Sequence, residues 1–144
     1  MRRPDFNVQL AAAFLAGVVF WIGLWWWSRP VVDPSWPLRE PLRFALLAIV
    51  YPVLEEIVFR GGLQAFLLKV PQGQLRWRGV TAANAATSVV FSAAHLFAHA
   101  PLWAAAMFFP SLVFGYFRDR DASLAIPITL HIYYNVGYFL VFAP

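Results

Sequence analysis

The chain has 144 residues, of which 61% are hydrophobic and 12% are charged, whereas soluble domains are about 45–50% apolar and about 25% charged. The apolar residues form long runs, which indicates an integral membrane protein and excludes an ordinary soluble domain. The net charge of +4 does not indicate nucleic-acid binding, because the basic residues lie at the ends of the apolar runs. Since cysteine is absent, the chain has no disulfide and no thiolate nucleophile or metal ligand.

Five apolar runs predict an all-α polytopic bundle of about five transmembrane helices around a polar cavity, as a single domain over residues 1–144. We expect residues 6–28 to be a retained anchor helix, because this run exceeds a signal-peptide core and lacks an A-x-A-like cleavage site. The second run is longer than a straight span requires, and Pro52 and the Gly61-Gly62 pair are expected to kink or split it. The later expected elements are spans at 42–69, 80–99, 102–118 and 122–143, a basic turn at 69–79 and a tight RDRD link at 118–121.

Basic residues set the predicted orientation. With a cytoplasmic N-terminus and five spans, seven basic residues lie inside and three outside, as the positive-inside rule requires. The inside set is Arg2, Arg3, Lys69, Arg76, Arg78, Arg118 and Arg120, and the outside set is Arg29, Arg39 and Arg43. Arg60 is the one basic residue left within a span. The sequence therefore predicts an integral membrane protein with its N-terminus in the cytoplasm.

The second run carries two adjacent carboxylates, Glu55 and Glu56, followed by Arg60. Ionisable groups at bilayer depth are costly, and they normally face the bundle interior or a watery cavity. Glu56 and Arg60 are four residues apart and share a helical face, so they can form an ion pair, whereas Glu55 is rotated by about 100°. We therefore expect Glu56 to be neutralised and Glu55 to be left for chemistry. The alternative is that all three residues form a helix-stabilising cluster.

Two further spans carry polar side chains at helical spacing. The third span has a stripe that should face other helices, made of Asn84, Ser88, Phe91, Ser92, His95 and His99. The fifth span places His131 and Asn135 four residues apart. Each has a plainer interpretation: a carbonyl-bonded ring for His95, an interfacial position for His99, and interhelical hydrogen bonding for His131 and Asn135. Their joint occurrence in one small bundle favours a functional site.

A carboxylate with two imidazoles can carry out general acid–base chemistry. Glu55 could deprotonate water while imidazole or amide donors stabilise an oxyanion, which describes amide hydrolysis in a membrane pocket. A zinc site is the first alternative, because His95 and His99 have metal-pair spacing and Glu55 or His131 could complete the site. However, the glutamate that directly follows the first histidine of common zinc proteases is absent. A proton-coupled carrier is a second alternative, disfavoured because no inverted repeat is visible.

Three motifs occur in order on three apolar runs: Glu55-Glu56-x-x-x-Arg60, Phe91-x-x-x-His95 and His131-x-x-x-Asn135. Together they resemble the CPBP family of CAAX-prenyl-protease and bacteriocin-processing intramembrane proteases. The resemblance covers about residues 42–140, which would be the protease core. It implies a glutamic-type membrane endopeptidase with a polar cavity, in which Glu56 and Arg60 support the catalytic groups.

The resemblance also implies a role for each remaining motif residue. Glu55 would activate the attacking water, assisted by His95, and His131 and Asn135 would form the oxyanion site. No cofactor is expected in this mechanism. Because the family was long described as metal-dependent, zinc held by His95, His131 and Glu55 is the runner-up.

The chain is short for the family and resembles small bacterial members linked to C-terminal protein-sorting tails. The resemblance implies a bacterial inner-membrane protease that cuts a membrane-anchored protein or peptide within the bilayer, near its sorting tail, without a nucleic-acid partner. Prenylated CAAX substrates are less expected for so short a chain. Some relatives are thought to act as immunity or scaffold proteins, so a non-proteolytic role is a further alternative.

Overall fold

A computed structural model describes residues 4–29 and 32–142, so Arg2 and Arg3 of the predicted cytoplasmic set lie outside the described residues. The structure is all-α and 82% helical, which confirms that part of the predicted fold class. The chain divides into two compact units, one formed by Met1–Pro52 with Leu130–Pro144 and the other by Val53–Thr129.

The described helices follow the chain in this order: α1 (Pro4–Ser28), α2 (Trp36–Arg39), α3 (Pro41–Ala45), α4 (Tyr51–Glu56), α5 (Ala65–Leu67), α6 (Pro71–Gln74), α7 (Ala82–Ala94), α8 (Pro101–Ala106), α9 (Phe108–Asp121) and α10 (Ala125–Val141). Two π-helical stretches, Leu46–Val50 and Ile57–Gln64, join α3, α4 and α5 into one helix over 41–67, which we call the motif helix. A 3₁₀ turn, His95–Phe97, extends α7. A small antiparallel hairpin, β1 (Arg76–Trp77) with β2 (Val80–Thr81), was not predicted.

Helix α1 is, within the described residues, the one helix long and apolar enough to cross a membrane by length and composition, with mean hydropathy 2.0 over an 18-residue window within Asp5–Ser28. Aromatic side chains pack it on α10 inside their unit. The hydroxyl of Tyr134 donates to the carbonyl of Ala13 at 2.7 Å, and the rings of Phe14 and Tyr133 meet edge-on at 4.8 Å. The predicted helix at 6–28 is therefore confirmed, while the count of five spans stays a prediction.

In the unit Val53–Thr129, α7 packs on α9 and on the π-helical stretch Ile57–Gln64. Its start is fixed by Thr81, whose hydroxyl accepts from the backbone N–H of Asn84 at 3.0 Å and so caps the helix. The buried faces of these helices carry polar groups beside apolar ones, and phenylalanine rings close the spaces between them. The predicted polar stripe on the third span thus faces other helices at its N-terminal end.

Two expected boundaries on the C-terminal side are wrong. The span expected at 102–118 is two helices, because Pro110 lacks the N–H that would bond the carbonyl of Ala106 and its ring crowds that carbonyl. RDRD at 118–121 is the last turn of α9 and not a link. Its two arginines suit a helix C-terminus, and the residue that follows the helix, Ala122, adopts the left-handed conformation with φ of 52°.

Candidate active site

The two adjacent glutamates of the motif helix have different surroundings. Glu56 is fully buried, and its Oε2 lies 3.2 Å from Nε of Arg60, which is also fully buried. Glu55, one residue earlier, is half-buried. The ion pair predicted from the four-residue spacing is therefore confirmed, whereas the catalytic roles of these residues stay predictions.

Arg60 is held by more than its carboxylate partner. Its Nη2 donates to the carbonyl oxygen of Ser111 at 2.8 Å and to the hydroxyl of the same residue at 2.6 Å. The guanidinium carbon also lies 4.8 Å from the ring centroid of Phe91 and 5.5 Å from that of Phe114. Such contacts are stronger where cation and ring are both out of water. Arg60 consequently ties the motif helix to α7 and to α9.

A chain of buried hydrogen bonds continues from Ser111 into α7. The hydroxyl of Ser111 donates to that of Ser88 at 2.9 Å, and Ser88 donates to Oδ1 of Asn84 at 3.2 Å. The amide of Asn84 then donates to the carbonyl of Leu112 at 3.0 Å. Each hydroxyl accepts one bond and donates the next, so the chain runs in one direction from a cation to a main-chain oxygen. Hydrogen bonds in such a chain polarise and strengthen one another.

A second branch of the network begins at Gln64, one turn beyond the arginine. Its amide donates to the carbonyl of Gly115 at 3.0 Å and to Oδ1 of Asp119 at 2.7 Å. The other oxygen of Asp119 accepts from the hydroxyl of Thr81 at 2.6 Å. The residue that caps α7 and the C-terminal turn of α9 are therefore joined to the motif helix.

The π-helical stretch Ile57–Gln64 explains how one face of the motif helix reaches all these partners. Four-residue steps in an α-helix overshoot a full turn by about 40°, so a row of side chains drifts around the axis. The wider π-turns counter this drift. Glu56, Arg60 and Gln64, spaced by four residues, are consequently all buried.

His95 lies at the end of α7 and is half-buried. Its Nδ1 is 2.8 Å from the carbonyl oxygen of Phe91, and since a carbonyl only accepts, this geometry assigns the proton to Nδ1. Nε2 of the neutral ring is then an acceptor. The ring also packs on that of His99, with centroids 5.8 Å apart. The carbonyl-bonded interpretation of His95 thus holds for Nδ1, and a catalytic role for Nε2 stays a prediction.

His131 and Asn135 belong to the other unit, which contains Leu130–Pro144. His131 is buried, with 6% of its surface exposed, and Asn135 is half-buried. The amide of Asn135 donates to the carbonyl of Leu47 at 3.1 Å, inside the π-helical stretch Leu46–Val50. One of the two N–H groups of this amide is thus used within the bundle, as the interhelical interpretation predicted.

Among residues 4–29 and 32–142, no three His, Cys, Asp or Glu side chains form a group that could hold a metal ion. Zinc held by His95, His131 and Glu55 stays a prediction, because His131 belongs to a different unit from the other two residues. His99, the second histidine of the metal-pair spacing, is exposed beyond the end of α7.

Sequence reasoning missed several residues of the buried network. Gln64 had a usable signal, because it lies four residues after Arg60 on the buried face. Ser111, Asp119 and Gly115 had none, because their role depends on how α9 packs against elements distant in sequence. The network is larger than the three motifs suggest.

The chain matches the family described as type II CAAX prenyl endopeptidase Rce1-like over residues 37–137, which is well over half of its length and contains all three motifs. The proteins of this family are membrane-embedded proteases. The chain belongs to the Rce1-like type II CAAX prenyl endopeptidase family, in agreement with the resemblance seen in the sequence. No curated protein and no solved structure matches it.

Proposed function

We propose that this chain is a glutamic-type intramembrane endopeptidase that hydrolyses a peptide bond of a membrane-associated protein. Membership of the Rce1-like family supports the reaction class. The observation that carries the assignment is the division between adjacent carboxylates: Glu56 is buried against Arg60, while Glu55 is half-buried beside this compensated pair. A second acid at this depth without a task would only be costly.

In the proposed reaction, Glu55 accepts a proton from water as the water oxygen attacks the scissile carbonyl carbon. Nε2 of His95, as an acceptor, takes a hydrogen bond from the same water and orients it. His131 and the second N–H of Asn135 donate to the oxyanion that forms. When the C–N bond breaks, the proton on Glu55 passes to the leaving amine, so one water has been added across the bond.

The proposed substrate is a membrane-anchored protein or peptide, cut near a C-terminal sorting tail, and the proposed location is the bacterial inner membrane with the N-terminus in the cytoplasm. The charge distribution supports this orientation, because the stretch 69–79 between the motif helix and α7 is basic and contains no acid. The mechanism requires no cofactor.

The test compares Glu55→Gln with Glu40→Gln, the same chemical change in an exposed glutamate paired with Arg43. Each variant is reconstituted in lipid nanodiscs and given two probes, a single-span reporter with a C-terminal sorting tail and a prenylated CAAX peptide, with products read by mass spectrometry. We expect Glu55→Gln to lower cleavage by about 10²–10⁴-fold, the usual contribution of a general base, and Glu40→Gln to cleave normally.

Wild-type cleavage rates in a folded Glu55→Gln variant would remove Glu55 from the mechanism. Metal analysis of the wild-type protein and of His95→Ala distinguishes the glutamic mechanism from the zinc alternative. Stoichiometric zinc that is lost together with activity in His95→Ala would favour a metalloprotease over the glutamic mechanism.

A further inference from the structure

The hairpin between the motif helix and α7 has a fixed conformation. Its register leaves Arg78 and Gly79 as a two-residue turn, and their φ angles of 49° and 89° are those of a type I′ turn. The hairpin is fastened to α9 by the hydrogen bond that the hydroxyl of Thr81 donates to Asp119. Its turn also lies close to the ring of Tyr116, because a Cβ added at Gly79 would be 3.3 Å from that ring. The tip therefore holds its side chains in a defined place.

The exposed surface around this tip is cationic. Lys69, Arg76 and Arg78 are all exposed, and no acidic residue lies between Glu56 and Asp119 in the sequence. The carboxylate of Asp119 is not paired with these basic side chains in the hydrogen bonds described, because its two oxygens accept from Gln64 and Thr81. The segment is a local excess of positive charge.

An aromatic side chain accompanies these charges. Trp77 is 73% exposed and Leu75 is 67% exposed. The guanidinium of Arg78 lies over the indole of Trp77, 5.0 Å from its centroid. The pair presents an apolar ring and a cation side by side. We call Arg76, Trp77 and Arg78 the basic hairpin surface.

We propose that the basic hairpin surface binds the headgroups of anionic phospholipids. Arginine pairs with phosphate oxygens through two parallel N–H groups, and indole rings favour the boundary between headgroups and acyl chains. This surface offers both kinds of group on one rigid turn. The inference is independent of the proposed protease activity.

A membrane surface fits these side chains better than an acidic peptide does. Carboxylates of a peptide would satisfy the guanidinium groups but would leave the exposed indole and Leu75 in water. The headgroup layer supplies phosphate and an apolar boundary together. Together with α6, the hairpin also connects the end of the motif helix at Leu67 to the start of α7 at Ala82, and helix ends of a membrane-embedded protein meet that layer.

A label beside the hairpin tests the proposal. Because the chain has no cysteine, Leu75→Cys gives a single site for a fluorophore. The full chain is reconstituted in phosphatidylcholine vesicles that contain a nitroxide-labelled lipid, either phosphatidylglycerol or phosphatidylcholine. We expect the anionic nitroxide lipid to be enriched at the label by about fivefold for each guanidinium near the surface, and added salt to reduce this enrichment.

The nitroxide quenches the fluorophore, so enrichment is measured as stronger quenching. In the double variant Arg76→Gln/Arg78→Gln, the two nitroxide-labelled lipids should quench the fluorophore almost equally. The matched control Arg39→Gln/Arg43→Gln removes the same charge from arginines that are paired with neighbouring carboxylates, and it should keep the preference. Equal quenching in the wild type, or an equal loss in the control, would overturn the proposal. An added poly-glutamate peptide that binds the hairpin when quenching is equal would identify an acidic peptide as the partner instead.

Discussion

Gly115 lies where α9 meets the amide side chains of two other elements. A Cβ added there would lie 2.0 Å from Oδ1 and 2.4 Å from Cγ of Asn84, and 2.8 Å from Oε1 of Gln64. Carbon atoms do not approach other atoms so closely without displacement. Gly115→Ala must therefore move both amides or push α9 away from its neighbours.

The size of the effect follows from what holds Asn84. Its amide donates to the carbonyl of Leu112, and its Oδ1 accepts from Ser88. Displacing it removes both hydrogen bonds, at about 0.5–1.5 kcal/mol each, and overpacking adds about 1–3 kcal/mol. We expect Gly115→Ala to lower the free energy of unfolding by at least about 2 kcal/mol.

Unfolding in mixed micelles of rising dodecyl sulfate content, followed by circular dichroism, measures this loss. Gly62→Ala is the matched control, because a Cβ there meets nothing nearer than the carbonyl oxygen of Ile57 at 3.8 Å, an ordinary contact. Its midpoint should stay close to that of the wild type. If the two variants unfold at the same midpoint, the amides do not close over Gly115 as described.

Two further outcomes follow from single contacts. Ser111→Ala removes the hydroxyl between Arg60 and Ser88 and should lower the free energy of unfolding by about 1–3 kcal/mol. An unfolding midpoint equal to that of the wild type would contradict the proposed hydrogen-bond chain. Hydrogen bonds from Arg39 and Ser35 lower the pKa of Asp33 from 3.8 to about 2. The resulting stabilisation is present above about pH 4 and lost as the pH falls through about 2. In Arg39→Gln, NMR should show the carboxyl titrating nearer 3.8, and an unchanged midpoint would refute the assignment.

Helical spacing was enough to predict the parts of the site that depend on one helix. The four-residue interval predicted the ion pair of Glu56 and Arg60, and the rotation of about 100° per residue separated Glu55 from it. The same reasoning predicted the buried start of the stripe on α7, where Asn84 and Ser88 lie. These conclusions need only the geometry of a single helix and the cost of burying polar groups.

Features that depend on several elements could not be predicted in this way. The π-helical stretches leave no residue pattern that distinguishes them from an α-helix before packing is known. Ser111 and Asp119 are ordinary α9 residues until that helix meets Arg60 and Gln64. Pro110 did carry a local signal for the break in the fourth predicted span, since it removes a backbone donor. That boundary could have been predicted from the sequence.

The buried pair of Glu56 and Arg60 is better explained by orientation than by stability. A buried ion pair contributes little net stability compared with apolar residues of the same size, because desolvation offsets the attraction. Turning the motif helix by one residue to bury Glu55 instead would move Arg60 away from Ser111 and leave buried charges uncompensated, at about 3–5 kcal/mol. The network therefore selects one rotation of the helix. In that rotation the accessible carboxylate is Glu55, which supports its proposed role as the base.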